Sequence, residues 1–593
     1  MKFNNLYKEW LLLMVAVLCF SCVSNKSSEK INQPNILLIM TDDQAYGDLS
    51  MTNNTYLETP VIDQLAKSGA FASHFYVSPV CAPTRASLLT GRYHQRTGVT
   101  GVTRGREDMR LDEITMANIF SDLGYVTGVF GKWHNGAHYP YHPLGRGFDN
   151  FVGFTSGHWS NYFDTTIEKN GKPFKTQGYL VDVFTDEAMQ FMEDSKAKQQ
   201  PFFCYLPYQT PHTPLQVPDE YFDKYKNKGL DDFNAAIYGM CENVDDNVGR
   251  ILKKLEELQI DENTIVIYLS DNGPLNFRFN QNLKGKKGMV DEGGTRVPFI
   301  VKWPGKIKPE TYVDTPLGHI DVLPTLLELI GLDYDYSKPI DGISFASLLK
   351  GDTIFPKRML YNEFFGKERV LADPYLMVND ALFNIRLDPS QKDDISTQFP
   401  NVYDSLRTAY NKWYKAVAPP VTDVKSIPIG YSEYPISYLP AHEATLYPLF
   451  EARKNRKHTG IAYHSLYGWA HDWIDFWTST DAFAQWNIKV VDDANYEIQM
   501  EYALAPENIG TELRFKIGEE QFNFRVGESF VHSQFHNHDR VVREQEAPET
   551  NWKKTVVGNV FLSKGEKILK VETLKMIGNQ SVELKGLYLK KLD

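Results

Sequence analysis

The chain has 593 residues, 42% of them hydrophobic, and its 63 Lys+Arg against 75 Asp+Glu leave a net charge of −12. That apolar content supports a sizeable core and excludes global disorder, and a prior of about 150 residues per domain suggests several units. The acidic balance excludes a general nucleic-acid binder, which needs a basic face to displace counterions, and five cysteines are too few for a disulfide scaffold.

Residues 1–21 (MKFNNLYKEWLLLMVAVLCFS) carry Lys2 and Lys8 ahead of the apolar stretch Leu11–Phe20. That stretch is too short to span a bilayer and suits the h-region of a secretory signal. Ser21-Cys22 follows, and a small residue before a cysteine at this place resembles a bacterial lipobox. The resemblance implies lipidation of Cys22, a tether over 22–33, and a lipoprotein of the periplasm or outer membrane. The membrane is then touched only through that N-terminal lipid anchor. Plain cleavage near Ser21, giving a soluble secreted chain, is the alternative.

Asn35–Met40 (NILLIM) is a continuous apolar run, as expected of a strand buried on both faces. Thr59-Pro60 opens a helix that Gly69 stops, and EITMANIFSDLG reads as a helix leading into a strand at Tyr125–Phe130. Pro201–Leu206 and Thr264–Leu269 are further buried strands, separated by the helical period of Asp232–Leu258. Strands alternating with helices predict an α/β unit with a largely parallel sheet, over 34–415. Residues 416–464 are rich in proline and lack a period, as a surface linker would be. Beyond 465, short alternating runs at Tyr496–Tyr502, Glu512–Lys516, Thr555–Leu562, Ile568–Glu572 and Ser581–Lys590 predict an all-β sandwich to residue 593.

The segment Cys81-Ala82-Pro83-Thr84-Arg85 carries the most chemistry. Pro83 in a helix first turn puts Cys81 at or next to the N-cap, where free N–H groups and the helix dipole favour an anion. Arg85 adds positive charge one turn on. A cysteine nucleophile is one reading and an ordinary buried cysteine the other. Asp42-Asp43 and Asp271-Asn272 each follow a predicted buried strand. Four hard oxygen donors at the carboxyl ends of two neighbouring strands suit Ca²⁺, although either pair alone is usually a turn. The loop Gly157–Phe163 offers His158, Asn161 and Tyr162 for sugar recognition, against the alternative of a loop packed on its own aromatics. His532, His536 and His538 lack strict ligand spacing, and the basic run Arg453–Lys457 reads as solvated.

C-x-P-x-R followed by A-S-L-L-T-G closely resembles the signature of the type I sulfatases, members of the alkaline phosphatase superfamily. The resemblance implies that a formylglycine-generating maturation enzyme oxidises Cys81 to Cα-formylglycine, whose hydrate attacks the sulfur of a sulfate ester. It implies calcium ligation by Asp42, Asp43, Asp271, Asn272 and the residue at Cys81. In Gly131-Lys132-Trp133-His134, Lys132 is expected to hold a sulfate oxygen and His134 to contact the hydrated aldehyde. Asn135 departs from the leucine common in the family. Arg85 would orient the nucleophile, His212 in TPHTPL would be the general acid, and Lys287 in LKGKKG would bind sulfate. The implied fold is a large mixed, mostly parallel sheet between helices, with a C-terminal β-sandwich that packs on the catalytic unit in preference to binding glycan alone. The implied activity is exo-acting removal of sulfate from a sulfated carbohydrate, with a lean to galactose or N-acetylgalactosamine types. A formylglycine-dependent phosphonate or phosphate ester hydrolase, and an unmatured chain that only binds sulfated glycan, are the alternatives.

Overall fold

A computed structural model describes residues 33–418, 425–449 and 457–592. The signal, most of the tether, Cys22 and residues 453–456 of the basic run lie outside the described residues.

The run NILLIM forms β1 (Asn35–Thr41), in which every residue is buried. It lies between β7 (Phe202–Pro207) and β8 (Thr264–Ser270) and is parallel to both, with Met40 opposite Pro207 on one side and Leu269 on the other. Alternate residues of β1 serve different cores. Leu37 and Ile39 pack with Phe184, Val244 and Ile251 of the helices Leu180–Ala197 and Asp232–Glu257. Ile36, Leu38 and Met40 pack on the other face with Met116, Phe120 and Leu326. A strand covered on both faces by helices has no polar side, which is why its sequence shows no alternation.

The remaining strands are β2 (Ala70–Tyr76), β3 (Val126–Lys132), β4 (Asn150–Phe154), β5 (Thr166–Lys169), β6 (Lys172–Lys175), β9 (Arg296–Lys302), β10 (Thr311–Val313) and β11 (Leu317–Gly318). The order across the sheet is β10-β2-β9-β8-β1-β7-β3-β4-β5-β6, with β11 also on β2. The run β8-β1-β7-β3-β4 is parallel. The strand β9 is antiparallel to both β8 and β2, so β2 points the same way as that run.

A four-stranded antiparallel sheet over residues 360–384 follows, covered by the helix Pro400–Val417 through Leu406, Tyr410, Trp413 and Val417. Two six-stranded sheets complete the chain and share one core, in which Trp486, Ile488 and Phe515 meet Ile498, Met500 and Leu587. This is the expected sandwich, but it begins earlier than the proline-rich reading allows. Ile427–Ile429, Ile436–Pro440 and Thr445–Tyr447, all placed in a linker by sequence, are strands of these two sheets. Proline removes a ladder donor and is tolerated where one side of a strand is unpaired, which hides such strands from a period-two search.

Candidate active site

Because β1, β2, β3, β7 and β8 all point one way, their carboxyl ends open on a single edge of the sheet, where α/β folds place their ligands. Asp42 and Asp43 follow β1, Lys132 ends β3, His212 follows β7, and Asp271 and Asn272 follow β8. The helix Cys81–Thr90 follows β2, with Cys81 its first residue and Val80 its N-cap, and all ten of its residues are buried.

The charged groups interlock. Arg85 donates from Nε (3.1 Å) and Nη2 (2.7 Å) to Asp271 Oδ2, and from Nη1 to the Lys132 carbonyl at 2.7 Å. Lys132 Nζ makes a short hydrogen bond to Asp42 Oδ2. Lys287 Nζ lies 2.7 Å from Asp43 Oδ1, and Asn272 Nδ2 donates to the same oxygen at 2.7 Å. Three carboxylates therefore face three cations. Burial works against the charge on Asp43, yet Lys287 and His212 hold its carboxyl well below the usual range, and Asp43 in turn raises Lys287.

The two histidines differ in which nitrogen is spent. His134 Nε2 lies 2.9 Å from the Val102 carbonyl and must donate to it, which leaves the buried Nδ1 as a bare lone pair with no partner. His212 Nδ1 donates to the Thr213 carbonyl at 2.6 Å, and its Nε2 lies 3.9 Å from Asp43 Oδ2. Burial and the nearby Lys287 lower His212 to about 4, against the pull of Asp43. Burial, then Lys132, holds His134 well below the usual histidine range. Asp43 (φ 66°) and His134 (φ 60°) both adopt the left-handed backbone, as residues held in place for function often do.

The donor set fits a hard divalent cation. Ligand atoms of Asp42, Cys81 and Asp271 lie within 4.8 Å of one another. Asp42 Oδ1 and Asn272 Oδ1 are buried oxygens without a hydrogen-bond partner, a costly arrangement that a cation would relieve. Burial pushes the Cys81 thiol up, so that as cysteine it is a neutral thiol.

Backbone packing fixes the walls. A Cβ on Gly131 (φ 133°) would lie 2.1 Å from the Pro207 carbonyl, so only glycine lets β3 deliver Lys132 here. A Cβ on Gly157 would come within 2.7 Å of His134 Nε2.

The aromatic loop is closer to the site than its sugar-binding reading requires, but two of its three named residues do other work. His158 stacks on His212 with ring centroids 6.3 Å apart and planes 7° from parallel. Tyr162 is fully buried, and its hydroxyl donates to the carbonyls of His212 (3.2 Å) and Thr213 (2.8 Å), so it shapes the loop instead of facing a ligand. Asn161 spends its amide on Phe163, donating to the carbonyl at 2.9 Å and accepting from the N–H at 3.2 Å. The wall residue Asn135 donates to the Ala82 carbonyl at 3.0 Å, bracing the first turn of the Cys81 helix. His532 pairs with Glu583 at 2.9 Å and His538 stacks on Phe163, so both are tied up by neighbours.

Sequence reasoning misses Arg278. Its guanidinium forms a buried ion pair with Asp48 and donates to the Asp43 carbonyl at 3.1 Å, fixing the turn that carries both aspartates. A cavity of about 900 Å³ is lined by Val102 and Gly157, which contact His134, and by His471, Lys585 and Tyr588 of the C-terminal region.

A family model described as Sulfatase matches residues 34–332, and one described as N-sulphoglucosamine sulphohydrolase, C-terminal, matches residues 283–383. The chain is 31% identical over 389 residues to the N-acetylgalactosamine-6-sulfatase of Canis lupus familiaris, a match covering 59% of this chain and 72% of that protein. Similarity to the arylsulfatase of Hemicentrotus pulcherrimus is 31% over 389 residues, covering 59% and 67%. The fold is similar to the crystal structure of Ps i-CgsB in complex with k-i-k-neocarrahexaose, with a TM-score of 0.61 and 31% identity over 64% of this chain and 92% of that one. The matched span includes the whole sheet edge on which Cys81 and its charged neighbours converge, and the chain belongs to the sulfatase family of the alkaline phosphatase superfamily: it is a sulfuric ester hydrolase.

Proposed function

We propose that this sulfatase removes sulfate from a sulfated carbohydrate, acting at chain ends, with a nucleophile derived from Cys81 and a calcium ion held by Asp42, Asp43, Asp271, Asn272 and the residue at position 81. The observation that carries the reading is the buried meeting of Cys81 with three cations and two unpartnered oxygens at one sheet edge. The names of the relatives favour a sugar sulfate: one is an N-acetylgalactosamine-6-sulfatase and one is held with a neocarrahexaose. The cavity that Val102 and Gly157 share in lining offers room for sugar, with Trp159 in its wall.

Calcium supplies positive charge to the sulfuryl oxygens when bound, and formylglycine, once a maturation enzyme has formed it at position 81, supplies the attacking oxygen. The chain's own residues do the rest. Lys132 and Lys287 bind the sulfuryl oxygens and neutralise the charge that grows as the S–O bond breaks. Arg85 fixes Asp271 and the Lys132 backbone and keeps both in register with the helix start. His212 presents Nε2 to the leaving oxygen, and the negative charge of a bound ester beside it favours the proton it must deliver. His134 keeps Nδ1 free to accept a proton from the nucleophile side. The N-terminal sequence supports export and anchoring through Cys22.

The test is sulfate release from a panel of defined sulfated mono- and oligosaccharides, read by ion chromatography, with Cys81→Ser as the blank and peptide mass across position 81 as the control. Release from at least one sugar sulfate is expected. Hydrolysis of phosphonate esters alone, or a converted residue 81 with no release from any sugar, would overturn the reading.

A further inference from the structure

We infer that the irregular segment 526–552 of the C-terminal sandwich is a working part of the active site, in which Glu546 and Asp539 position the His212 loop for proton delivery to the leaving oxygen. The inference rests on the general-acid role proposed for His212.

The loop after β7 is irregular, and its buried backbone must find partners outside a ladder. Some come from the catalytic unit: His212 N–H donates to the Gln209 carbonyl at 3.2 Å, and Tyr162 holds the carbonyls of His212 and Thr213. Others come from more than three hundred residues downstream. Thr213 Oγ1 donates to Glu546 Oε1 at 2.6 Å. Gln216 Nε2 donates to Asp539 Oδ1 at 2.7 Å. The Arg540 N–H donates to the Leu215 carbonyl at 2.9 Å, and its guanidinium donates to the Val217 carbonyl at 2.7 Å. Asp539 is itself gripped by Arg543 at 2.7 and 2.9 Å. His471, from the same C-terminal region, lies 2.9 Å from the His158 carbonyl through Nε2, behind the ring that stacks on His212.

Glu546 does more than anchor. Its carboxylate takes the Thr213 hydroxyl proton, so Thr213 Oγ1, 3.3 Å from His212 Nδ1, can only accept from that nitrogen. The Thr213 carbonyl makes the same demand at 2.6 Å. Two acceptors on Nδ1 fix its proton there and leave Nε2 as the atom that exchanges with substrate, the way an outer partner sets the tautomer of a working histidine. Glu546 and Asp539 are thus positioning residues, acting through Thr213 and Gln216. The segment runs between the strands Glu520–Arg525 and Lys553–Leu562 without an element of its own, and long loops of that kind in compact proteins are usually functional.

The experiment compares two substrates in the full, matured chain. A sugar sulfate has an alkoxide leaving group that needs a proton, whereas 4-nitrophenyl sulfate leaves as a stabilised phenolate and does not. For Glu546→Ala we expect kcat on the sugar sulfate to fall by about tenfold or more with KM little changed, and kcat on 4-nitrophenyl sulfate to stay within about twofold. Glu546→Gln, whose amide oxygen can still accept from Thr213, should keep most of the sugar activity, and Asp539→Ala should show the same substrate split as Glu546→Ala. Equal losses on both substrates, or none on either, would overturn the inference while leaving the sulfatase reading intact. A parent chain that cleaves the aryl sulfate but no sugar sulfate would remove the carbohydrate reading and this inference together.

Discussion

The side-chain amide of Asn272 donates to Asp43 Oδ1 at 2.7 Å, while its own oxygen, fully buried, meets no donor. Asp42 Oδ1 is in the same condition, and two buried oxygens that no nearby lysine satisfies are the donors a hard cation takes. Ca²⁺ should therefore bind the folded chain and raise its Tm. Ligand at a hundred times its Kd adds about 2.7 kcal/mol, a shift of about 2 °C at this size. Scanning calorimetry of chelated against calcium-loaded chain checks this, and Asn272→Ala should lose most of the shift. A parent whose Tm ignores calcium would contradict the assignment.

Gly157 is the floor under the His134 ring. In Gly157→Ala the new methyl would sit 2.7 Å from Nε2, so the ring must move and its bond to the Val102 carbonyl must stretch. A displacement of about 1 Å in a catalytic group can cost about a hundredfold in rate. The expected outcome is a kcat lowered by about ten- to a hundredfold with Tm changed by no more than a few degrees. A fully active Gly157→Ala enzyme would show that His134 needs no fixed position.

The contact between His138 and Glu443, 2.8 Å apart and partly buried, joins the catalytic unit to the turn beside Thr445–Tyr447. Burial opposes the proton on His138, but the Glu443 charge prevails and raises its pKa, and His138 correspondingly holds Glu443 low despite burial. The raised histidine contributes stability that is fully present below about 6.5 and is lost as pH climbs through the higher folded value. The lowered Glu443 contributes stability that is present above about 4.3 and lost as pH falls through its folded value. Glu443→Gln should cost about 1.5–3 kcal/mol near pH 6, and the gap to the parent should narrow towards pH 9. Chemical denaturation at a series of pH values measures it, and a gap independent of pH would refute the pairing.

A C-terminal fragment starting at 465 omits Leu439 and Leu446 from the shared core and removes the strand Ile436–Pro440 that pairs with Glu583–Leu592. It also strips Trp486 of the Pro440 carbonyl that accepts its indole N–H at 2.9 Å. That fragment should show no cooperative thermal transition, whereas one starting at 425 should recover a transition. Cooperative unfolding of the shorter fragment would mean that these strands are dispensable.

The positions that meet at the sheet edge are legible in the sequence because each sits in a short contiguous signature next to a strand end or helix start, where backbone geometry aims it without help from afar. Cys81, Lys132 and Asp271 are of this kind. Tyr162 was not legible: its hydroxyl is committed by carbonyls fifty residues on, and nothing local distinguishes a buried tyrosine from a sugar platform. The strands over 427–447 were hidden by proline, and Glu546 by isolation, since a single carboxylate in an irregular stretch has no period and its partner is 333 residues away. Local signatures reveal chemistry, whereas the groups that steady it are chosen by tertiary neighbours.

The burial of Cys81 also imposes an order in time. All ten residues of its helix are inside the fold, with Ala82, Arg85 and Ala86 wholly enclosed, so no second protein can grasp that segment once the sheet has closed. On the proposed chemistry, residue 81 must be converted while the chain is still open. Catalysis must wait longer, because Glu546, which steadies the His212 loop through Thr213, is made 333 residues after it. On that chemistry maturation precedes folding and activity follows it, and a chain that folds too fast would be stable and permanently silent.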